Sequence, residues 1–258
     1  MEKVVGEQPI KKLIESGAVL DRYLFARKVP MEKYALKLKM KEFTKLVEDE
    51  PVKYKLPPVE PDPSNEIATK FYQEMKRQRI ESLARTRVYA WQAIDYDEYK
   101  SLLYLFGRAG QEYAVIMRIF QEIQKRTPNF KPYSFFDFGS GVGTGIWAAS
   151  ELWASSIFEY YLVDGSKFMN DLSDLILRDG NVNKNMSLKN VNHRQFLPSR
   201  GTHYDVVLSA YSMFEQQSLK NRLEIANNLW NKTAPEGFLI FIENGSNSGF
   251  QVIDEIRQ

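Results

Sequence analysis

The spacing of hydrophobic positions along this chain changes near residue 130. Before that point apolar residues recur at helical intervals, as in the segment from Leu13 to Phe25 and in the lysine-rich segment 31–47. After it, short apolar runs alternate with amphipathic segments of helical spacing. That alternation is typical of a parallel sheet whose strands are joined by right-handed helical crossovers. We therefore predict a helical region over residues 1–130 and an α/β domain over residues 131–258.

The same pattern predicts the individual elements of both regions. The predicted strands lie at 134–138, 158–163, 187–192, 204–209 and 238–243. The predicted helices that follow them lie at 144–154, 167–178 and 218–231, with a last helix from Ser248. Further helices are predicted at 65–86, 95–107 and 111–125, and a proline-rich linker near 51–64. In such a Rossmann-like sheet a ligand is expected at the carboxyl ends of the first two strands.

A glycine-rich loop follows the first predicted strand. Its sequence is Asp137-Phe138-Gly139-Ser140-Gly141-Val142-Gly143, and a predicted helix begins directly after it. Strand, glycine loop and helix form the plan of a nucleotide-binding βα unit. Glycines let the backbone turn sharply and let a ligand approach, and the helix start offers unpaired N–H groups. Two common nucleotide motifs are excluded, because Thr144 breaks the dinucleotide pattern and the loop has no P-loop lysine.

A second acid strengthens the case for a nucleotide site. Asp164 ends the second predicted strand, where a carboxylate can accept hydrogen bonds from both hydroxyls of a ribose. The loop and this acid together resemble class I methyltransferases, which bind S-adenosyl-L-methionine (SAM). The resemblance implies a SAM site formed by Asp137, Gly139, Ser140, Gly141, Gly143, Asp164 and Ser209. The alternative is a glycine-rich turn in some other α/β protein.

Composition narrows the chemistry further. The chain has no cysteine and two histidines, so it offers no disulfide, no cysteine-ligated zinc or iron–sulfur cluster and no cysteine nucleophile. No metal site is predicted. No apolar run approaches about 18 residues, so no membrane span is predicted.

Charge is unevenly distributed. Residues 1–130 carry 24 Lys and Arg against 19 Asp and Glu, whereas residues 131–258 carry 11 against 14. The basic positions of the first half include a stripe of lysines at every fourth residue and a cluster on the next helix: Lys33, Lys37, Lys41 and Lys45, then Lys76, Arg77 and Arg79. These side chains suit contact with RNA phosphates. A solvated helical surface explains them equally well.

Several further segments resemble the methyltransferase-like assembly factors of the mitochondrial small ribosomal subunit. They are 136–143 with Trp147, Arg194-Gln195-Phe196-Leu197-Pro198, 204–210, Leu229-Trp230 with Lys232-Thr233, and Glu243-Asn244-Gly245. The resemblance covers roughly residues 85–258. It implies a mitochondrial matrix protein that binds small-subunit rRNA and ribosomal proteins and keeps a SAM-binding fold with little or no methyltransferase activity.

The chain departs from this family in two respects, and its first 30 residues bear separately on targeting. Family members continue into a cysteine-rich segment that resembles an iron–sulfur or zinc site, which this chain lacks. A full class I sheet has seven strands, so we expect a domain truncated after its fifth strand. Acidic residues such as Glu2, Glu7 and Glu15 argue against a mitochondrial presequence in the first 30 residues.

The sequence identifies no catalytic residue. The segment after the fourth strand, Ser209 to Glu215, lacks the two prolines of amino methyltransferases. Tyr211 and Glu215 are candidates to face a methyl acceptor, but structural roles explain them as well. Three hypotheses stay open: a SAM-binding assembly factor, an active rRNA methyltransferase of the same subunit, and a small-molecule methyltransferase.

Overall fold

The computed structural model describes residues 10–88, 91–198 and 201–257, which fall into two compact units. One unit contains helix α1 (Ile10–Ala26) with Arg27 and the chain from Ala93 onward. The other spans Lys28–Gln92. Glu2 and Glu7, on which part of the presequence expectation rests, lie outside the described residues.

The unit of residues 28–92 is a pair of helices. Helix α2 (Lys33–Asp49) and helix α3 (Glu66–Arg87) bury Val47, Leu56 and Tyr72 between them. The proline-rich connection starts as a turn, because the Leu56 amide donates to the Pro51 carbonyl at 2.8 Å. Asn65 is the N-cap of α3, since its side chain accepts a hydrogen bond from the Ala68 amide at 3.1 Å.

The larger unit is built on a parallel sheet of five strands in the order β3-β2-β1-β4-β5. The strands are β1 (Ser134–Phe138), β2 (Glu159–Val163), β3 (Val191–Arg194), β4 (Tyr204–Ala210) and β5 (Thr233–Ile242). Strands are added in one direction from β1 to β3 and in the other from β4 to β5, although all five run parallel, and this switch leaves a crevice at the carboxyl ends of β1 and β4.

The helices of this unit lie against the sheet and at its carboxyl edge. They are α4 (Glu98–Tyr104), a π-helical turn (Leu105–Ala109), α5 (Gly110–Arg126), α6 (Thr144–Trp153), α7 (Lys167–Leu177), a 3-10 turn (Met213–Glu215), α8 (Leu219–Asn231) and α9 (Asn247–Arg257). In the described parts of the chain, none of the helices is long and apolar enough to cross a membrane.

The core explains why α5 belongs with the sheet. Ile116 and Phe120 of α5 are fully buried in one cluster with Phe135 of β1 and Ile146 of α6. The compact units therefore divide elsewhere than at the boundary near residue 130 that hydrophobic spacing predicts. Hydrophobic spacing indicates that α5 is a helix with one apolar face. It does not indicate that this face packs on β1, which follows α5 in the chain.

The predicted α/β fold with a parallel sheet is confirmed, and two strands differ in extent. β3 begins at Val191 because Asn190, with φ of 53°, turns the chain immediately before it. β5 begins at Thr233, five residues earlier than predicted. The Pro-Glu-Gly segment that predicts a turn lies inside β5, where Glu236 has φ of 63° and the register with β4 shifts.

Candidate functional site

A cavity of about 470 Å³ opens at the carboxyl edge of the sheet, a size typical of small-ligand sites. Its walls come from the ends of all five strands and from the helices above them. The strand-end residues include Phe138, Gly139, Gly141, Asp164, Gln195, Phe196, Tyr211, Glu215 and Asn244. The helical side contributes Leu24, Arg27, Tyr96, Tyr104 and Arg108.

The glycine loop forms the floor of this cavity beside β1. The amides of Gly139 and Ser140 donate to the Val163 carbonyl at 2.7 and 3.0 Å, which ties the loop to the end of β2. Gly139 has φ of 73°, and a Cβ there would lie 2.2 Å from the Cβ of Ser212. Only glycine fits this position, because both the backbone angle and the space exclude a side chain.

Asp164 presents its carboxylate to the cavity. One oxygen accepts the Gly141 amide at 2.9 Å and the other accepts the Ser166 amide at 2.8 Å. Burial raises the pKa of Asp164, although these two amides oppose the rise. Each carboxylate oxygen has two lone pairs, so the geometry leaves one on each oxygen for a diol.

Asp137 is placed differently from Asp164. It is 2 % exposed and is not among the residues that line the cavity. Its carboxyl lies against Gly145 of α6, since a Cβ at that glycine would lie 2.2 Å from Oδ2. Burial raises its pKa well above the usual value, and the nearby charges of Asp164 and Glu112 raise it further.

The remaining predicted residues also lie behind the cavity wall. Ser140 is 3 % exposed, and its Oγ has no hydrogen-bond partner in the described part of the chain. Ser209 is fully buried, and its Oγ lies 2.7 Å from the Oγ of Ser212. Gly143 is the N-cap of α6 with φ of 97°. Of the predicted set, the structure brings Gly139, Gly141 and Asp164 to the cavity surface.

Two buried arginines at the cavity were not identified from the sequence. Arg27, just after α1, forms an ion pair with Glu215. Arg108, in the π-helical turn, donates to Asp21, Glu112 and Asn244. The sequence gives only a weak signal for Arg108, which lies between two glycines in the gap between the predicted helices 95–107 and 111–125.

The segment after β4 has strained backbone. Tyr211 has φ of 57°, a left-handed conformation that is unusual for an aromatic residue. Its amide donates to the Ile242 carbonyl at 2.8 Å, and its ring lies 4.9 Å from the Arg108 guanidinium carbon. Burial raises the pKa of Tyr211 to about 12. The hydrogen bond to Ile242 and the contact with Arg108 therefore hold this ring in the cavity wall.

No metal centre is found among residues 10–88, 91–198 and 201–257. Within these ranges no three His, Asp or Glu side chains are close enough together to hold an ion.

Residues 98–258 match the family model described as mitochondrial small ribosomal subunit Rsm22. The chain belongs to the Rsm22 family. The matched region begins at α4 and contains all five strands, so the Rsm22 segment supplies every cavity wall except the part from α1 and from residues 93–96.

A curated relative extends the comparison. The chain is 37% identical over 186 residues to the human mitochondrial ribosome assembly protein METTL17, which covers 72% of this chain and 40% of METTL17. The chain thus spans about 40% of the length of the curated relative that it matches.

Solved structures give a fold-level likeness. A candidate S-adenosyl-L-methionine-dependent methyltransferase from Methanococcus maripaludis aligns with 65% of this chain and 74% of its own, at 17% identity and a TM-score of 0.44. The plantazolicin methyltransferase BpumL, solved with S-adenosylhomocysteine, aligns with 76% of this chain and 58% of its own, at 14% identity and a TM-score of 0.38. At these scores neither likeness bears on the ligand or the reaction of this Rsm22 chain.

Proposed function

We propose that this chain is a SAM-binding assembly factor of the mitochondrial small ribosomal subunit, located in the matrix, with little or no methyltransferase activity. The observation that carries the proposal is the Rsm22 match over residues 98–258, because the matched segment is the one that builds the cavity. The relative METTL17, named as a mitochondrial ribosome assembly protein, supports the same role.

The cavity supports SAM as the cofactor. In this proposal Asp164 accepts the ribose hydroxyls, and the backbone of Gly139 and Gly141 faces the sulfonium and amino-acid part. Ser140, Gly143, Ser209 and Asp137 shape the loop from behind rather than contact the ligand. Bound SAM would supply an activated methyl group. Residues 131–258 with the flanking helices α1, α4 and α5 form the unit that binds it.

The part of the cavity after β4, where a methyl acceptor would lie, supports a role without methyl transfer. Glu215 there is engaged in its ion pair with Arg27, and burial raises the pKa of Tyr211 to about 12, so its hydroxyl stays protonated near neutral pH. A general base must reach the proton that it removes and be ready to accept it. Neither the Glu215 carboxylate nor the Tyr211 hydroxyl meets this requirement in this arrangement.

An active rRNA methyltransferase is the second candidate. One observation favours it: the cavity continues past the glycine loop to Tyr211, Phe214 and Asn244, where an acceptor would lie. Methyl transfer relies mainly on positioning, so the lack of a released base does not by itself prevent it. A small-molecule methyltransferase remains the third hypothesis.

The proposed RNA contact involves the unit of residues 28–92. On α2 the side chains of Lys33, Lys37, Lys41 and Lys45 are exposed, and no described acidic side chain lies within ion-pair distance of them. Small-subunit rRNA supplies phosphates for such a stripe. Ribosomal proteins are the second class of proposed partner.

A rescue experiment tests the proposal. In mitochondria depleted of the endogenous protein, the full chain carrying Gly139→Arg and Asp164→Ala is compared with the unmodified chain and with Gly110→Ala. Assembled small subunits and rRNA methylation are both measured, after calorimetry shows that the double variant has lost SAM. The proposal predicts that methylation per assembled subunit stays unchanged. Loss of one particular methyl mark would instead establish the enzyme, and failure of the unmodified chain to bind SAM would refute the cofactor.

A further inference from the structure

The π-helical turn directs a buried cation into the cavity. Between α4 and α5 the hydrogen-bond pattern widens over Leu105–Ala109, a local change that often marks functional sites. Arg108 lies in this turn, is 5 % exposed, and lines the cavity. Desolvation of a buried cation is costly unless anions compensate it, and here Asp21 and Glu112 form ion pairs with the guanidinium.

The contacts of Arg108 hold its guanidinium in a fixed orientation. Nε donates to Glu112 at 3.2 Å, Nη1 to Asp21 at 3.0 Å and Nη2 to Asn244 at 3.0 Å. The ring of Tyr211 packs against it at 4.9 Å. Of the five guanidinium N–H bonds, these contacts use three and leave one on each terminal nitrogen.

Arg27, the second arginine of the cavity wall, has a different set of hydrogen-bond partners from Arg108. Arg27 directs both terminal nitrogens at the carboxylate of Glu215, with Nη2 at 3.1 Å. Its guanidinium also lies 5.4 Å from the Phe214 ring. Arg108 is therefore the cation that retains a pair of N–H groups suited to a second carboxylate.

Arg108 lies across the cavity from Asp164. Its partners Asn244 and Tyr211 follow β5 and β4, whereas Asp164 follows β2. Neighbouring strands are about 4.8 Å apart, so two to three spacings, roughly 10–14 Å, separate the two sides. The glycine loop after β1 lies between them. A ligand with its ribose on Asp164 and its chain along the loop would reach Arg108 with its far end.

We infer that Arg108 binds the α-carboxylate at the amino-acid end of an adenosyl-amino-acid ligand, and so makes the cavity specific for ligands that carry it. The inference rests on the proposed SAM site. Two parallel N–H groups match the two oxygens of a carboxylate. Because Asp21, Glu112 and Asn244 already order the guanidinium, binding costs little further side-chain entropy.

Two ligands that differ only in this carboxylate test the inference. Calorimetry compares SAM with decarboxylated SAM on the unmodified chain, on Arg108→Met and Arg108→Lys, and on Arg118→Met as a control on the exposed side of α5. Arg108→Met should weaken SAM by about 10- to 100-fold, the effect of losing hydrogen bonds between charged groups. It should change decarboxylated SAM by less than about threefold, and Arg108→Lys should restore part of the difference. Arg118→Met should change neither affinity.

Three outcomes would overturn the inference. Equal affinity of the unmodified chain for both ligands would show that no carboxylate subsite exists, a result that does not depend on the folding of any variant. Equal losses for both ligands in a folded Arg108 variant would make the residue structural. If the unmodified chain bound neither ligand, the proposed cofactor itself would fail, which is distinguishable from the first two results.

Discussion

Arg27 and Glu215 are 188 positions apart in the chain and form an ion pair in the wall of the cavity. The arginine side chain is 2% exposed and the glutamate side chain 26%. The pair joins the end of α1 to the 3-10 turn after β4. The carboxylate of Glu215 therefore contributes to the compensation of a buried positive charge.

The burial of the Arg27 charge predicts how much the free energy of unfolding falls when the ion pair is broken. Glu215→Gln should lower the free energy of unfolding by about 2–4 kcal/mol, because it removes a carboxylate that pairs with a buried cation. Adding Arg27→Met should recover part of that loss, since the charge is then gone. Urea unfolding of the two variants measures both effects.

The exposed pair Arg118–Glu122 provides the matched control. Its arginine side chain is 71% exposed, so Arg118→Met should change stability by less than about 1 kcal/mol. A double variant less stable than Glu215→Gln alone would show that Arg27 stabilises the fold independently of Glu215.

Gly145 predicts a second stability effect. A Cβ there would lie 2.2 Å from Asp137 Oδ2 and 2.8 Å from Leu208 Cδ2, so Gly145→Ala should force the buried carboxyl to move. We expect a loss of about 1–3 kcal/mol, typical of overpacking. Gly110→Ala is the control, because nothing lies within 4 Å of its Cβ and alanine favours the helix. A neutral Gly145→Ala in urea unfolding would contradict the close packing of Asp137.

The glycine loop and Asp164 were predictable from the sequence because their evidence is local. β1 occupies the predicted residues 134–138, and an apolar run ended by an acid and alternating glycines identifies it without knowledge of the fold. Asp164 is identified in the same way, because it directly follows the apolar run of the second predicted strand. Both features reach the cavity because the carboxyl ends of parallel strands share one edge.

The direction in which the Asp137 side chain points could not be predicted from this local pattern. Successive side chains of a strand point to opposite faces, so Asp137 shares the face of Phe135, which packs beneath α6. The sequence places the acid at the strand end but does not reveal which face carries it.

The two arginines were unpredictable for a different reason. Arg108 meets Asn244 across 136 positions and Asp21 across 87, and no periodic pattern encodes contacts over such separations. The hydrophobic pattern predicts the helices that flank these arginines, while the packing of helices on the sheet decides which polar side chains face the cavity.

Glu243 predicts a pH dependence of stability. Burial raises its pKa to about 7, and its Oε2 has no hydrogen-bond partner in the described part of the chain. An unfolded glutamate loses its proton near pH 4.3, so from about pH 4.3 to 7 the folded state holds a proton that the unfolded state has lost. Stability attributable to Glu243 therefore falls as pH rises through this window.

Glu243→Gln should remove that loss. We expect a gain of about 1–3 kcal/mol at pH 8 and a smaller gain at pH 5, measured by thermal unfolding at both pH values. The exposed Glu224→Gln should have little effect at either pH. The prediction fails if the gain from Glu243→Gln is the same at pH 5 and pH 8.

The lysine stripe on α2 predicts how RNA affinity responds to salt. Replacing Lys33, Lys37, Lys41 and Lys45 by glutamine should weaken binding to small-subunit rRNA fragments and reduce the salt slope by about 2–4, since each phosphate contact contributes roughly 0.7–0.9. Lys76 and Arg77 are a matched pair on α3 whose charges are already engaged, by Glu48 at 2.6 Å and Glu74 at 2.8 Å. Their neutralisation should therefore reduce the slope less. A slope unchanged by the α2 substitutions would identify the stripe as a solvated helix surface and would place any RNA contact elsewhere.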